Sequence, residues 1–172
     1  MNDPFRVMTV CTGNICRSPM AEIVLREAFV EAGLGDTVVV ESTGISSEER
    51  GNPIDRRART TLTNHGYPNG TGHVARRITP AGLAASDLVL PMTAHHARTL
   101  RRLAADAGAD ERTICMWRTF DPAAPKLGEG DSEDLLDVED PWYGGMADFE
   151  VCLREIEAAI PAIVEYVKAQ LG

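Results

Sequence analysis

The chain has 172 residues, 44% of them hydrophobic and 25% charged, with a formal net charge of −9 at pH 7. That length suits one domain, residues 1–172, with a substantial core, and the acidic balance argues against nonspecific nucleic-acid binding. Four scattered cysteines do not make a disulfide scaffold, no run reaches membrane-span length and no charged leader precedes an apolar segment, so a reducing cytoplasm is the expected setting.

A short apolar run, residues 5–10, predicts the first strand. A helical pattern follows from Ser18, which suits a cap, with Pro19 in the first turn and Met20, Ile23, Val24 and Ala28 at helical spacing up to Gly33 and Gly35. Residues 37–42 are β-branched and read as a second strand buried on both faces. Residues 43–53 are loop, 55–65 a helix stopping at Gly66, and 66–72 turn; Thr79 and Pro80 open a short helix. Residues 87–92 predict a third strand, followed by a helix to about Ala107, and residues 112–116 a fourth. A long loop, 118–145, precedes a helix over about 146–171. Its apolar stripe of Phe149, Leu153, Ile156, Ile160, Ile163, Val167 and Leu171 reads as a core face rather than a dimer seam, so a monomer is expected, and Pro161 is expected to kink it. Alternating strands and helices imply right-handed crossovers. The expected fold is a single-domain α/β three-layer sandwich, Rossmann-like, with a four-stranded parallel sheet flanked by helices.

In such a sheet, ligands sit beyond the carboxyl ends of the strands. The segment Cys11-Thr12-Gly13-Asn14-Ile15-Cys16-Arg17-Ser18-Pro19 occupies that place, between the first strand and the first helix. Outward-pointing amides and the helix dipole favour an anion there and favour the thiolate over the thiol of a cysteine held among them. Arg17, six residues after Cys11, can grip two phosphoryl oxygens with its planar fork. A buried structural thiol and an ordinary helix-start cation are the plainer alternatives, yet an arginine in a first helical turn is locally unfavourable without an anion. The loop lacks a second Cys/His pair at zinc spacing, so no metal is expected.

The long loop is rich in acids and closes on Asp140-Pro141-Trp142-Tyr143-Gly144-Gly145. Its pattern does not match a calcium loop. A loop of this length in a compact domain is often functional. Acidic neighbours and aromatic cover favour the protonated form that a general acid needs, and the flanking aromatics favour Asp140 over the rival Asp121-Pro122 pair. His95 and His96 are adjacent near a helix start and read as surface residues.

These two distant motifs, with Gly51-Asn52-Pro53 and His73-Val74-Ala75-Arg76, resemble those of the low-molecular-weight protein tyrosine phosphatases over nearly the whole chain. The resemblance implies that Cys11 attacks phosphorus and forms a cysteinyl-phosphate, while Arg17 and the main-chain amides from Thr12 through Gly13, Asn14, Ile15 and Cys16 to Ser18 hold the equatorial oxygens. It implies that Asp140 protonates the departing phenolate and then serves as base towards water. It further implies that the Ser18 hydroxyl stabilises the thiolate, that Asn14, Ser42 and His73 hold the loop in shape, and that Cys16 forms a reversible disulfide with Cys11. Trp142 and Tyr143 would wall a phosphotyrosine ring. No cofactor is implied, and the partner is a phosphotyrosine-containing protein.

Ile15 bears on substrate choice, because the similar protein-arginine phosphatases look to carry threonine there. An isoleucine would crowd a planar guanidinium and favour a phenyl ring. Glu48 stands near a position that is usually aromatic in the family, which implies weaker binding of simple aryl phosphates and a preference for basic residues beside the phosphotyrosine. Thr93 replaces a common acidic residue. The alternatives are a protein-arginine phosphatase, an arsenate reductase, for which Cys115 and Cys152 are too far apart to relay electrons, and a non-catalytic phosphate-binding module.

Overall fold

A computed structural model describes residues 2–172. Three strands, β1 (Phe5–Cys11), β2 (Val38–Gly44) and β3 (Leu88–Pro91), form a parallel sheet in the order β2-β1-β3. Five helices accompany them: α1 (Arg17–Glu31), α2 (Arg56–Asn64), α3 (Pro80–Ala84), α4 (Ala94–Ala107) and α5 (Met146–Leu171). The central strand shows why both faces must be covered. Side chains alternate along it, so Val7 and Cys11 join the core built by α1, α2 and α5, while Met8 and Val10 join Leu83 of α3 and Leu100 and Ala104 of α4. This is the expected three-layer α/β sandwich.

The fourth strand is the main departure. Residues 112–116 contribute one parallel bridge, Ile114 to Val89, and one hydrogen bond from Cys115 N to Val89 O at 2.9 Å. Local capping takes the rest of the segment. Asp110 accepts from Arg112 N at 2.9 Å and winds Glu111–Thr113 into a 3-10 turn, and a second such turn begins at Trp117. Trp117 is fully buried and donates Nε1 to Ile156 O at 3.2 Å, which anchors this stretch to α5 instead of to the sheet.

α5 runs unbroken through Pro161, and Phe149, Leu153, Ile156, Ile163 and Val167 of its stripe are buried in the core. No helix among the described residues is long and apolar enough to cross a membrane. The polypeptide steps from β1 to a neighbour on either side, so the carboxyl end of β1 lies at a topological switch point. The Cys11 loop emerges there.

Candidate active site

The loop after β1 is shaped from both sides. Its carbonyls turn outwards: Cys11 O accepts from Ile45 N, Thr12 O from Ser46 N, and Ile15 O from Asp55 N. Among the described residues the amides of Gly13, Asn14, Ile15 and Cys16 find no protein acceptor, which leaves a ring of donors on the inner side. Asn14 sits at φ 62°, the only positive φ outside glycine among the described residues. Asparagine tolerates this left-handed geometry, and its side chain is fully employed in holding it. Nδ2 donates to Ser18 Oγ at 2.9 Å and Ser42 Oγ at 3.0 Å, Oδ1 accepts from Arg76 N at 3.0 Å, and the Asn14 carbonyl lies 2.7 Å from His73 Nε2. Ser42 and His73 therefore contact the loop as the resemblance implied.

Ser18 takes a different post from the one its position suggested. Helix α1 begins at Arg17, with Cys16 at its cap position and no side-chain cap. The Ser18 hydroxyl lies 3.0 Å from Cys11 Sγ and 3.2 Å from Thr43 O, so its single proton can serve either sulfur or carbonyl. A thiolate, being the charged acceptor, takes it. The uncapped start of α1 lies at the same end of the loop, so hydroxyl and backbone donors gather around the Cys11 sulfur. Cys16 is buried beside it, and burial first, then the nearby Asp55 and Cys11, holds its thiol well above the ordinary cysteine range.

Arg17 is 3% exposed. Nη1 donates to Val138 O at 3.0 Å, Nη2 lies 3.5 Å from Thr12 Oγ1 and 3.3 Å from Asp140 Oδ2, and the buried Nε has no partner among the described residues. A buried guanidinium N–H is costly to leave unpaired. It lines the same cleft as the amide loop, where an oxyanion would satisfy it.

Asp140 joins the same site from the far end of the chain. Its Oδ1 accepts from Trp142 N at 3.1 Å, and Pro141 opens a 3-10 turn through Tyr143. The aromatic cover expected over Asp140 is absent: its side chain is 34% exposed and paired with Arg17. Trp142 and Tyr143 instead pack edge to face, ring centroids 4.9 Å apart, along the rim of the cleft. That cleft, about 170 Å³, is floored by Cys11, Thr12 and Arg17 and rimmed by Ile15, Glu48, Glu49, Asp140, Trp142 and Tyr143. Asp121, the rival acid, is buried elsewhere, paired with Arg118 at 3.4 Å and accepting from Ala123 N at 2.8 Å.

Three contributors escaped the sequence reading. Arg57 of α2 donates Nη1 to the carbonyls of Trp142 (3.1 Å) and Gly144 (2.9 Å), stacks over Phe149, and so ties the acid turn to the helices. Gly44 ends β2 directly beneath the loop. A Cβ there would collide with the Thr12 carbonyl oxygen and stand 3.1 Å from Asn14 N. The Gly44→Ala variant is therefore expected to remain folded at a cost of about 1–3 kcal/mol, and to lose turnover by about 100-fold as the loop shifts. Thermal melts together with aryl phosphate kinetics check this; unchanged turnover would remove the close approach from the argument. The third is His96, expected on the surface but 1% exposed, with Nε2 2.8 Å from Thr12 Oγ1. Its only sequence signal was its place one turn into the helix after β3, at the same sheet edge as Cys11. Thr93 caps that helix, accepting from His96 N at 3.2 Å.

A parallel sheet whose switch point carries a cysteine, an arginine and an outlying aspartate around an amide ring defines a class, the cysteine-dependent phosphate-ester enzymes. Residues 6–171 match the family model described as low molecular weight phosphotyrosine protein phosphatase. A low molecular weight protein-tyrosine-phosphatase of Streptomyces coelicolor is 42% identical over 167 residues, covering 97% of this chain and 96% of that protein. The low molecular weight protein-tyrosine phosphatase A of Mycobacterium tuberculosis is 42% identical over 172 residues, covering 100% and 97%. A crystal structure of a protein tyrosine phosphatase from Entamoeba histolytica superposes with a TM-score of 0.83 at 22% identity, covering 98% of this chain and 99% of that one, which bears on the fold. The chain belongs to the low molecular weight phosphotyrosine protein phosphatase family.

Proposed function

We propose that the protein hydrolyses phosphotyrosine in protein substrates through a cysteinyl-phosphate on Cys11. The observation that carries this reading is the buried Arg17 Nε, without a partner among the described residues, in one cleft with Cys11 and the loop whose amides find no acceptor among them. In the first step Cys11 Sγ forms a bond to phosphorus as the bond to the tyrosine oxygen breaks. The amides of residues 12–18 and the Arg17 fork carry the charge on the three equatorial oxygens. Asp140 delivers a proton to the departing phenolate. It later takes one from the water that attacks phosphorus, and free phosphate and the Cys11 thiolate are released.

The ion pair with Arg17 sharpens the role of Asp140. A phosphoryl dianion in the loop competes for the same guanidinium, and two like charges then share one cation. Asp140 in its acid form leaves the guanidinium to the phosphoryl group and delivers its proton in the step that needs it. Ile15 and the Trp142–Tyr143 rim leave a slot with an apolar side, apt for a phenyl ring. Cys16, kept as a thiol close to Cys11, supports a protective disulfide as its second role. A reducing compartment such as the cytoplasm suits this thiol chemistry, and burial of the α5 stripe in the core supports a monomer.

Peptides bearing phosphotyrosine, phosphoserine and phosphoarginine, each with lysine or glutamate flanks, test the substrate class. Turnover is expected on phosphotyrosine alone and is expected to be higher with lysine flanks, because Glu48 and Glu49 border the cleft. Glu48→Trp should weaken the flank preference and lower KM for a plain aryl phosphate. Faster turnover of the phosphoarginine peptide would overturn the reading of Ile15.

A further inference from the structure

His96 takes no part in the steps above, yet it touches the loop that performs them. Its Nε2 meets Thr12 Oγ1 at 2.8 Å, and the same oxygen lies 3.5 Å from Arg17 Nη2. The guanidinium has two other protein contacts, Val138 O on Nη1 and Asp140 Oδ2 on Nη2. A bound phosphoryl group competes for the second, so the Thr12 hydroxyl is the side-chain contact that can persist on Nη2 while substrate is held. A lone threonine hydroxyl swings among staggered rotamers. Here a buried ring, carried on a backbone that Thr93 Oγ1 caps, restrains it.

Two further features accord with a role at Nε2. The ring keeps a buried Nδ1 without a partner among the described residues, a cost that a phenyl or leucine side chain at this position would avoid. Burial first, then the positive charges of Arg17 and His95, pushes its pKa down to about 3, so the imidazole is neutral and adds no cation beside Arg17.

We propose that His96 is a positioning residue for the phosphate site, fixing the plane of the Arg17 guanidinium through the Thr12 hydroxyl. The proposal rests on the reading of Arg17 as the phosphate-binding group. Because the Arg17 fork holds the equatorial oxygens more strongly in the transition state than in the ground state, misplacing it lowers kcat more than it raises KM.

The test uses the full chain and two readouts: binding of inorganic phosphate, and kcat and KM for an aryl phosphate. His96→Phe is expected to weaken phosphate binding several-fold and to lower kcat by about tenfold, with KM changing much less. His96→Gln, whose amide reaches the Nε2 position, is expected to recover most of the loss. Thr12→Val should match His96→Phe, and the double variant should be no worse than either single one, as a relay through one hydroxyl requires. Additive losses, or a His96→Phe protein that binds phosphate and turns over normally, would overturn the proposal. If His96→Phe does not fold, the comparison moves to the Thr12→Val background, where adding His96→Gln should change nothing; a further loss there counts against the relay. A wild-type protein that binds phosphate but hydrolyses no aryl phosphate would sink the proposed function and leave the phosphate-binding arm to judge His96.

Discussion

Cys11→Ser is expected to lower turnover by on the order of 10⁴-fold or more while leaving the phosphate site able to bind. The serine hydroxyl is held among the same amides and faces the same Ser18 Oγ, but it does not ionise there, so no covalent phospho-enzyme accumulates. Arg17 Nε and the unpaired amides do not depend on sulfur for their geometry. Inorganic phosphate or vanadate should therefore still bind with an affinity within about an order of magnitude of the native protein. Stopped assays paired with calorimetric titration of the oxyanion separate these outcomes. Retained turnover would remove Cys11 from the nucleophile role; lost turnover with lost binding would mean that the variant had disturbed the loop itself.

Asp140→Asn carries the second large effect, and its diagnostic value lies in the leaving group. Tyrosine departs as a phenolate with an ordinary pKa of about 10, so its expulsion needs a proton. Loss of the donor should cost about 10²- to 10⁴-fold in kcat for phosphotyrosine. An activated nitrophenyl phosphate leaves with little help and should lose far less in the first step. Asparagine preserves the acceptor for Trp142 N, so the 3-10 turn over Pro141–Tyr143 survives the change. Equal losses for the two substrates would take Asp140 out of the acid role and leave it only as a partner for Arg17.

Much of this site is legible in the sequence, because its features are local. Cys11, Arg17 and the intervening loop lie on consecutive residues between a β-branched run and a helix start, where backbone geometry dictates function. The residues around Asp140 single it out, and it does line the cleft, but its aromatic neighbours line the rim and do not cover the carboxylate. What stayed hidden depended on tertiary partners. Ser18 reads by position as a helix cap, and only the family resemblance, not the local pattern, sets its hydroxyl against Cys11, 3.0 Å away. His96 looked solvated because adjacent histidines beside arginines suggest a polar face, yet the turn following β3 directs one ring inwards to Thr12. The expected fourth strand had the right composition over residues 112–116, but Asp110 and Trp117 drew its two ends into 3-10 turns and left one bridge between them.

The two arginine clasps that set the acid turn span the length of the polypeptide. Arg17 reaches Val138 and Arg57 reaches Gly144, contacts that join residues 121 and 87 positions apart. During synthesis the nucleophile loop and its supports, up to Arg76, emerge well before the turn that supplies the proton. A ribosome-bound chain at that stage lacks its acid and also lacks the Val138 carbonyl and the His96 ring that hold Arg17 and Thr12. Competence towards tyrosine esters arrives only when α5 packs against α1 and the last third of the molecule closes over the sheet, so the enzyme's activity is a readout of finished folding.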